Sequence, residues 1–420
     1  MRYSWLRSLL LLSSLLLLSA PSWAAKKVDL DYHVKLLPES DQAEVRLTLA
    51  QGSAVRSFDF DLGSQGEYSN FKADGQWSVT SEADQKDGAQ RGIWRPASGK
   101  ASLTYRVQIS QPRGASKTSS VFDTRMTPTW AVLRGENLVP RAHLDQQDGT
   151  QLVSRLEFEL PAGWKNVETA WPRIGKHRFR IDNVSRLFDR PTGWMVAGDL
   201  GTRRTRLGET EVTVSAPKGQ GMRRMDVLTM LTFVWPQIQA VFPRNPPKLL
   251  VIGAGDAMWR GADAGHDSIY LNSTRPVVSE SGSSPLVREL VQVFSQIRDH
   301  QRSDWIGDGL AEYYAIELVR RAGGMSDERY QHVQAHLTKI SRNVKSIRGD
   351  RLDAAALART VLLLQDLDRE IRLQTQGKRS LDDVAQGLMR MNRVTTRDFI
   401  QITDNVMGEP SKVLGSSLLL

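Results

Sequence analysis

The sequence predicts an α+β protein in which an antiparallel β-sandwich precedes a mixed α/β part that becomes entirely helical. Two changes of pattern indicate this order. Between residues 28 and 214, apolar residues alternate with polar ones, as they do in strands with one buried face. After residue 222 the apolar residues recur at helical spacing, with two short apolar runs between the helices.

The strand predictions rest on runs of period two that are bounded by Gly, Pro, Asn or Asp. The runs are Val28–Leu36, Val45–Leu49, Phe58–Leu62, Leu103–Ile109, Leu156–Leu160 and Val212–Val214. The Gly- and Asp-rich stretch 63–95 is interpreted as loops between short strands, and the stretch 216–219 as a linker.

The second half begins with a helix predicted over Met222–Phe242. The short apolar runs Lys248–Gly253 and Ser268–Leu271 predict buried strands. Further helices are predicted at Pro285–Gln301, Gly309–Ala322, Asp327–Asn343, Leu352–Gln376, Leu381–Met391 and Thr396–Val406.

Composition excludes several classes of protein. The chain has 420 residues, of which 25 % are charged and 40 % hydrophobic, which is typical of a globular protein and not of a disordered or multi-span membrane chain. The net charge of +9 is spread along the chain, and no nucleic-acid-binding motif accompanies it, so no nucleic-acid partner is expected. The absence of cysteine excludes disulfides, thiolate zinc ligands and thiol nucleophiles.

Residues 1–24 predict an export signal. Arg2 and Arg7 form a positive start, Leu9–Leu18 is a leucine-rich apolar run, and residues 22–24 are Ser-Trp-Ala, with small residues at the positions that determine cleavage. The apolar run is shorter than the ~20 residues of a spanning helix, and no transmembrane segment is predicted elsewhere. The mature chain is therefore expected to begin near Ala25 and to be periplasmic or secreted.

The candidate site lies in the helix pair predicted over residues 285–322. Arg288 and Gln292 stand four residues apart on the first helix and therefore share one face, with Glu289 beside them. Asp308 follows within the segment WIGDGLAEYY, residues 305–314.

This arrangement resembles the zinc site of thermolysin-like metallopeptidases, the gluzincins, and specifically that of the glycyl aminopeptidase family. In that family one helix carries His-Glu-x-x-His, and a later helix opens with Glu-Gly-(Phe/Leu)-x-x-Tyr. Two imidazoles at this spacing reach one zinc ion, the Glu between them takes a proton from zinc-bound water, and the later Glu completes the site.

Other segments extend the resemblance over most of the mature chain. The segments DREIR (368–372) and GKRSLDDV (377–384) are similar to a C-terminal segment of the family, and 259–268 stands where the family has a Gly-rich edge strand along its cleft. The resemblance implies a thermolysin-like α/β-to-helical peptidase-type domain over 217–345. A β-rich domain over 25–216 precedes it, and a helical region over 346–420 follows.

The three ligand positions of the resemblance carry other residues: Arg288 at the first, Gln292 at the second and Asp308 at the third. Only Glu289, at the general-base position, matches the motif. Arginine has no lone pair for a metal, a glutamine carbonyl is a poor zinc ligand, and one carboxylate without two imidazoles does not hold zinc. Counting back from Ile371 and Arg372, the resemblance implies that the family's oxyanion-stabilising tyrosine falls near Leu357, and leucine donates no hydrogen bond.

These departures predict an exported, non-catalytic homologue, a pseudopeptidase without zinc or another cofactor. It is expected to bind peptides or a periplasmic partner protein in the old cleft, with Glu289 vestigial. Two alternatives stay open. One is a zinc-dependent aminopeptidase with an atypical site that uses Glu289 as general base, and the other is an assembly module of the cell envelope whose cleft is unused.

The motif also suggests what replaced the metal. We hypothesise that Arg288 reaches the former metal position and pairs bidentately with Asp308, with Glu289 nearby; the alternative is that Arg288 is a solvated helix residue. His332 and His336 have the helical spacing of metal ligands, but no Glu follows the first and no third ligand is evident, so a solvent-facing pair is favoured.

Overall fold

The computed structural model of the protein describes residues 26–63, 67–81, 90–114, 120–182, 188–255, 257–280, 282–300, 302–349, 351–391 and 393–419. The predicted export signal lies outside these residues. In chain order the strands are β1 (Lys26–Leu37), β2 (Gln42–Leu49), β3 (Val55–Gly63), β4 (Tyr68–Ala73), β5 (Gly75–Ser81), β6 (Gln90–Pro96), β7 (Ala101–Gln108), β8 (Gln111–Pro112), β9 (Phe122–Met126), β10 (Trp130–Arg134), β11 (Ala142–Gln146), β12 (Thr150–Glu159), β13 (Asn166–Glu168), β14 (Arg178–Ile181), β15 (Trp194–Gly198), β16 (Leu200–Leu207), β17 (Thr210–Pro217), β18 (Lys248–Ile252), β19 (Ala262–Gly265) and β20 (Ser268–Leu271).

The N-terminal part is a β-sandwich, as the alternating pattern predicts. A six-stranded sheet of order β14-β12-β1-β2-β7-β4 packs against a four-stranded sheet of order β11-β3-β6-β5. Inward-facing residues such as Val34, Val45 and Phe58 are fully buried between the sheets, because apolar residues at every second position share one face. Pairing is antiparallel except between β1 and β12.

The expectation of loops over 63–95 is wrong in part. Strands β4, β5 and β6 lie in this stretch, and β5 forms the edge of the four-stranded sheet. Their sequences show little alternation because their outer faces are solvated and partly apolar, as Val79 illustrates with 44 % exposure.

One of the two five-stranded sheets has the order β16-β17-β18-β20-β19, and its edge strand β19 contacts α3, the helix of the candidate site. Strands β17, β18 and β20 are parallel, whereas β16 and β19 run antiparallel at the two edges. The edge position predicted for the 259–268 region is thus occupied by β19. Residues 216 and 217, expected in a linker, continue β17 and pair with β16, so this sheet crosses the predicted domain boundary. The remaining sheet, of order β13-β15-β10-β9-β8, packs against it through Trp194 and Tyr270, among others.

Helices follow the predicted order with shifted ends. They are α1 (Gly135–Leu138), α2 (Arg224–Val241), α3 (Pro285–Ser295), α4 (Asp304–Arg321), α5 (Asp327–Ser341), α6 (Ala354–Gln374), α7 (Leu381–Leu388) and α8 (Thr396–Met407). The helix predicted to reach Gln301 ends at Ser295, because Gln296 adopts a left-handed conformation with φ 50°. The helix predicted to begin at Gly309 begins at Asp304. Within the described residues, no helix is long and apolar enough to cross a membrane.

The C-terminal segment of the resemblance has a structural role. Ser380 caps α7 in a capping box with Asp383. Asp382 accepts hydrogen bonds from the Tyr314 hydroxyl at 2.9 Å and from Arg321 at 2.7 Å, which ties α7 to α4. This part of the motif therefore holds the helices of the site in place.

Candidate functional site

Helix α3 positions the first pair of site residues. Ser284 caps it by accepting the Val287 N–H at 3.2 Å, and Pro285 occupies the first turn, where a missing N–H costs nothing. The apolar stripe that includes Leu290 and Phe294 is buried in the core. This packing orients Arg288 toward α4.

Helix α4 supplies two carboxylates on the facing side. Asp308 and Glu312 stand one turn apart, so both side chains project from one face. The Asp299 carboxylate accepts the Gly307 N–H at 3.1 Å at the start of this helix. Burial raises the pKa of the Asp299 carboxyl to about 7.

Arg288 lies at the centre of three carboxylates. Its Nη1 donates to Glu289 Oε1 at 2.8 Å, and its Nη2 donates to Asp308 Oδ1 at 2.6 Å. Its Nε lies 3.5 Å from Glu312 Oε2. We call these four residues the Arg288 cluster. The hypothesised pairing of Arg288 with Asp308 is present, but the bidentate geometry is wrong, because the guanidinium divides its nitrogens among the three carboxylates.

Glu289 is the most buried member of the Arg288 cluster, with a side chain only 4 % exposed. Burial raises the pKa of the Glu289 carboxyl to about 7, although the Arg288 guanidinium opposes the rise. The negative charge of Asp263, on the edge strand β19, raises this pKa further. Asp263 itself accepts a 2.7 Å hydrogen bond from Arg134 of β10 and a 3.2 Å hydrogen bond from Trp194.

The residues at the three positions that the resemblance aligns with zinc ligands do not fit a zinc ion. The three carboxylates around Arg288 hold its pKa above the ordinary arginine value despite burial, so the guanidinium stays a cation without a lone pair. Gln292, half-buried one turn further along α3, brings a neutral amide. In the part of the chain that the structure describes, no group of three or more His, Cys, Asp or Glu is arranged to hold a metal.

A cavity of about 180 Å³ adjoins the Arg288 cluster between α4, α5 and α6. Its lining side chains include Glu312, Ile316, His336, Leu337, Ile340 and Leu357. Glu312 therefore belongs to both the cavity and the Arg288 cluster. Leu357, which the resemblance aligns with the oxyanion-stabilising tyrosine, lies in the same wall.

Four histidines in the second half of the chain are not members of the Arg288 cluster. His332 and His336 are exposed on α5, although His336 also reaches the cavity. His266 stacks on Trp171 with ring centroids 4.4 Å apart, and burial lowers its pKa. His300 is exposed after the end of α3.

The sequence interpretation missed two contributors to the site. Glu312 follows Asp308 by one helical turn, and this spacing is the sequence signal from which Glu312 could have been predicted. Asp263 has no local signal, because only the pairing of β19 at the sheet edge places it near Glu289.

Comparison with known proteins gives matches at the level of structure. No protein-family model and no curated protein matches the sequence. An aminopeptidase N family protein from Idiomarina loihiensis is 14 % identical, with 86 % of this chain and 70 % of that chain covered and a TM-score of 0.63. A mutant M1 zinc metallopeptidase from Deinococcus radiodurans, bound to a Tyr-Ser-Ala substrate, is 14 % identical over 94 % of this chain and 92 % of that chain, with a TM-score of 0.54. Aminopeptidase A from Legionella pneumophila, in complex with aspartic acid, is 15 % identical over 94 % of this chain and 49 % of that chain, with a TM-score of 0.55.

The fold is therefore that of a gluzincin peptidase. Its β-rich part precedes a helical part, in agreement with the two-domain fold of an M1 zinc metallopeptidase. The glycyl aminopeptidase resemblance thus agrees with the structure at the level of the wider gluzincin fold.

Proposed function

We propose that the protein is an exported, non-catalytic relative of the gluzincin aminopeptidases, a pseudopeptidase whose cleft binds peptides or a periplasmic partner protein. Within that class we assign it to the glycyl aminopeptidase family, as a member with a degenerate zinc motif. One observation carries the proposal: the Arg288 guanidinium lies 2.6 Å from Asp308, between the two helices that bear the former ligand positions. A guanidinium there donates to the carboxylates and repels a second cation.

The position of Glu289 supports the loss of catalysis. A general base in this chemistry takes a proton from metal-bound water. Glu289 Oε1 instead accepts a hydrogen bond from Arg288 Nη1. Leu357 has no hydroxyl with which to stabilise an oxyanion. The proposed role of Glu289 is therefore vestigial.

Retention of the cleft supports a binding role. The edge strand β19 lies against α3, and the cavity beside Glu312 is open to a ligand. We propose the division into residues 25–216, 217–345 and 346–420, with the first boundary inside the sheet that β16 and β17 share with β18, and an export signal over residues 1–24 before it. Cleavage of that signal near Ala24 delivers the mature chain to the periplasm or the medium.

One observation favours a second candidate, a zinc-dependent aminopeptidase with an atypical site. The pKa of Glu289 is about 7, and a general base works best when its pKa lies near the working pH. In this candidate a metal held by other residues supplies the water, and Arg288 moves away from Glu289.

Hydrolysis of amino-acyl p-nitroanilides by the purified mature protein, with and without added zinc, distinguishes the two candidates. The pseudopeptidase proposal predicts the same rate for the wild-type protein and for Glu289→Gln, since any residual rate is not due to this site. A zinc-dependent rate that falls at least about 100-fold in Glu289→Gln supports the aminopeptidase instead.

A further inference from the structure

Helix α2 has an uncharged face that is exposed to solvent. Residues 227–241 of this helix contain no charged side chain. Val227 and Leu231 are buried in the core, whereas on the other side of the helix Met225 is 54 % exposed and Phe233 is 63 % exposed. The exposed face also includes Thr229, Thr232, Pro236 and Ala240. A helix face in contact with water normally carries charged residues, so this face has the properties of an interaction surface.

Strand β16 places an arginine beside this face. Arg203 alternates with Gly201 and Leu207 along the strand, so these three residues share the face of the sheet that packs against α2. The side chain of Arg224, at the start of α2, lies over Gly201, where an added Cβ would be 2.7 Å from the arginine Cζ atom. Two guanidinium groups therefore flank the uncharged face on the side of β16.

Further positive charge lies at the first turn of α2. Arg223 and Arg275 line one small cavity beside this turn. Arg223 pairs at 3.1 Å with Asp226, which is the one carboxylate of the helix. In the described part of the chain, no carboxylate forms an ion pair with Arg203, Arg224 or Arg275. Positive charge therefore exceeds negative charge around this end of the uncharged face.

An exposed apolar helix face with arginines at its border matches an anionic lipid surface. Apolar side chains of such a helix enter the boundary between headgroups and acyl chains, while its arginines contact lipid phosphates. A second copy of the chain is a poorer match, because an isologous contact brings the unpaired arginines of both copies together. An acidic protein would need an apolar patch matched to Met225 and Phe233, whereas a bilayer accepts apolar side chains in any arrangement.

We propose that α2 binds an anionic membrane surface, with Met225 and Phe233 inserted among the lipids and Arg203, Arg224 and Arg275 on the phosphates. The contact is peripheral and reversible, because two apolar side chains and three arginines provide a modest affinity. None of these residues belongs to the Arg288 cluster. The inference therefore goes beyond the proposed function and does not depend on what the cleft binds.

Cosedimentation of the purified mature protein with lipid vesicles tests the inference. One set of vesicles contains equal parts of phosphatidylglycerol and phosphatidylcholine, and the other contains phosphatidylcholine alone. We expect the partition coefficient at low salt to be at least about tenfold higher for the anionic vesicles, because each arginine near a negative surface adds to binding. Binding is expected to fall as added salt screens the arginines.

A pair of apolar substitutions assigns the binding to α2. Phe233→Ser removes the most exposed aromatic side chain of the face and is expected to weaken binding to the anionic vesicles at least about fivefold. Leu373→Ser is the matched control, because Leu373 is 80 % exposed on α6 and is expected to make no contact with the lipid. Both positions are exposed, so both variants are expected to fold, which circular dichroism checks.

A pair of double substitutions separates local charge from net charge. Arg203→Ser with Arg275→Ser is expected to weaken binding to the anionic vesicles about 25-fold, at about fivefold for each arginine. Arg46→Ser with Arg342→Ser removes the same net charge at exposed positions on β2 and after α5. This control is expected to change binding by less than about threefold.

The outcomes separate this inference from the proposed function. Equal partition into the two kinds of vesicle, or equal binding by the two arginine double variants, overturns the membrane assignment. Self-association of the wild-type protein that Phe233→Ser abolishes, without binding to vesicles, overturns it in favour of a second copy of the chain. Turnover of amino-acyl substrates that depends on Glu289 contradicts the proposed function and leaves the membrane contact in place.

Discussion

The Arg288 Nη2 atom lies 2.6 Å from the Asp308 Oδ1 atom and joins α3 to α4. The resemblance places metal ligands at both positions, so an ion pair connects the two helices where a metal is expected. The same guanidinium also contacts Glu289, which is almost completely buried. Arg288 is thus the cation that opposes the rise in the Glu289 pKa that burial causes.

Replacement of Arg288 by methionine is expected to destabilise the protein by about 2 kcal/mol. The substitution leaves Glu289 buried without its partner, and a buried charged group that loses a hydrogen bond costs about 1.5–3 kcal/mol. Urea unfolding measures the change. Arg223→Met is the matched control, because its ion pair with Asp226 is exposed and contributes at most about 1 kcal/mol. Equal effects of the two substitutions would refute the structural role of Arg288.

The raised pKa of Glu289 predicts a pH dependence of stability. Its pKa is about 7 in the folded protein against an ordinary value of 4.5, so the folded state holds the proton more tightly than the unfolded state. The stability contributed by the protonated carboxyl is present below pH 4.5 and is lost as the pH rises to about 7. The slope is at most about 1.4 kcal/mol per pH unit.

Glu289→Gln isolates this dependence, since glutamine does not titrate. Asp299, whose pKa is also about 7, titrates in both proteins, so its contribution cancels when their free energies of unfolding are subtracted. Denaturant unfolding at several pH values from 4 to 8 is expected to show the wild-type protein losing stability relative to the variant as pH rises. A constant difference would mean that Glu289 titrates normally.

The positions that the resemblance aligns with zinc ligands allow a test in which a metal site is introduced. Arg288→His together with Gln292→His places two imidazoles four residues apart on α3, facing Asp308. We expect this double variant to hold about one zinc per chain after dialysis against zinc and then buffer, as metal analysis measures. Adding Asp308→Asn is expected to weaken retention. Failure of the folded double variant to bind zinc would show that these positions do not converge on one metal site.

Asp382 provides a test of the C-terminal segment. Its carboxylate accepts from Tyr314 and Arg321, so Asp382→Ala leaves a buried hydroxyl and a half-buried guanidinium without this partner. The expected loss is about 2–3 kcal/mol in urea unfolding. Arg379→Ala, which breaks only a more exposed pair with Asp383, is expected to cost less than about 1 kcal/mol. A larger effect of Arg379→Ala would contradict the assignment.

Local pattern predicts much of this fold, and tertiary contacts account for the rest. Strands β1 and β2 alternate cleanly because each has one face in the sandwich core, and the sequence shows this directly. The end of α3 is not visible in the sequence, because Gln296 adopts a positive φ without being a glycine. Residues 216 and 217 look like a linker in isolation, yet the neighbouring strand pairs with them.

The residues of the site also divide into those that the sequence pattern predicts and those that only tertiary contacts bring together. The motif alone predicts that Arg288 and Asp308 lie close together, because the resemblance aligns both residues with ligands of a single metal ion. The third partner, Glu312, was accessible through its helical spacing from Asp308. The approach of Asp263 and Arg134 depends on contact between strands β19 and β10, which are distant in sequence, and no local pattern encodes that contact.

The zinc content of the purified mature protein, after dialysis against excess zinc and then zinc-free buffer, tests whether the Arg288 cluster excludes a metal. We expect far less than one zinc per chain, and the same amount in Arg288→Met, which also has no imidazole at the site. About one tightly held zinc per wild-type chain would contradict it, because the Arg288 cluster would then have to open around a metal.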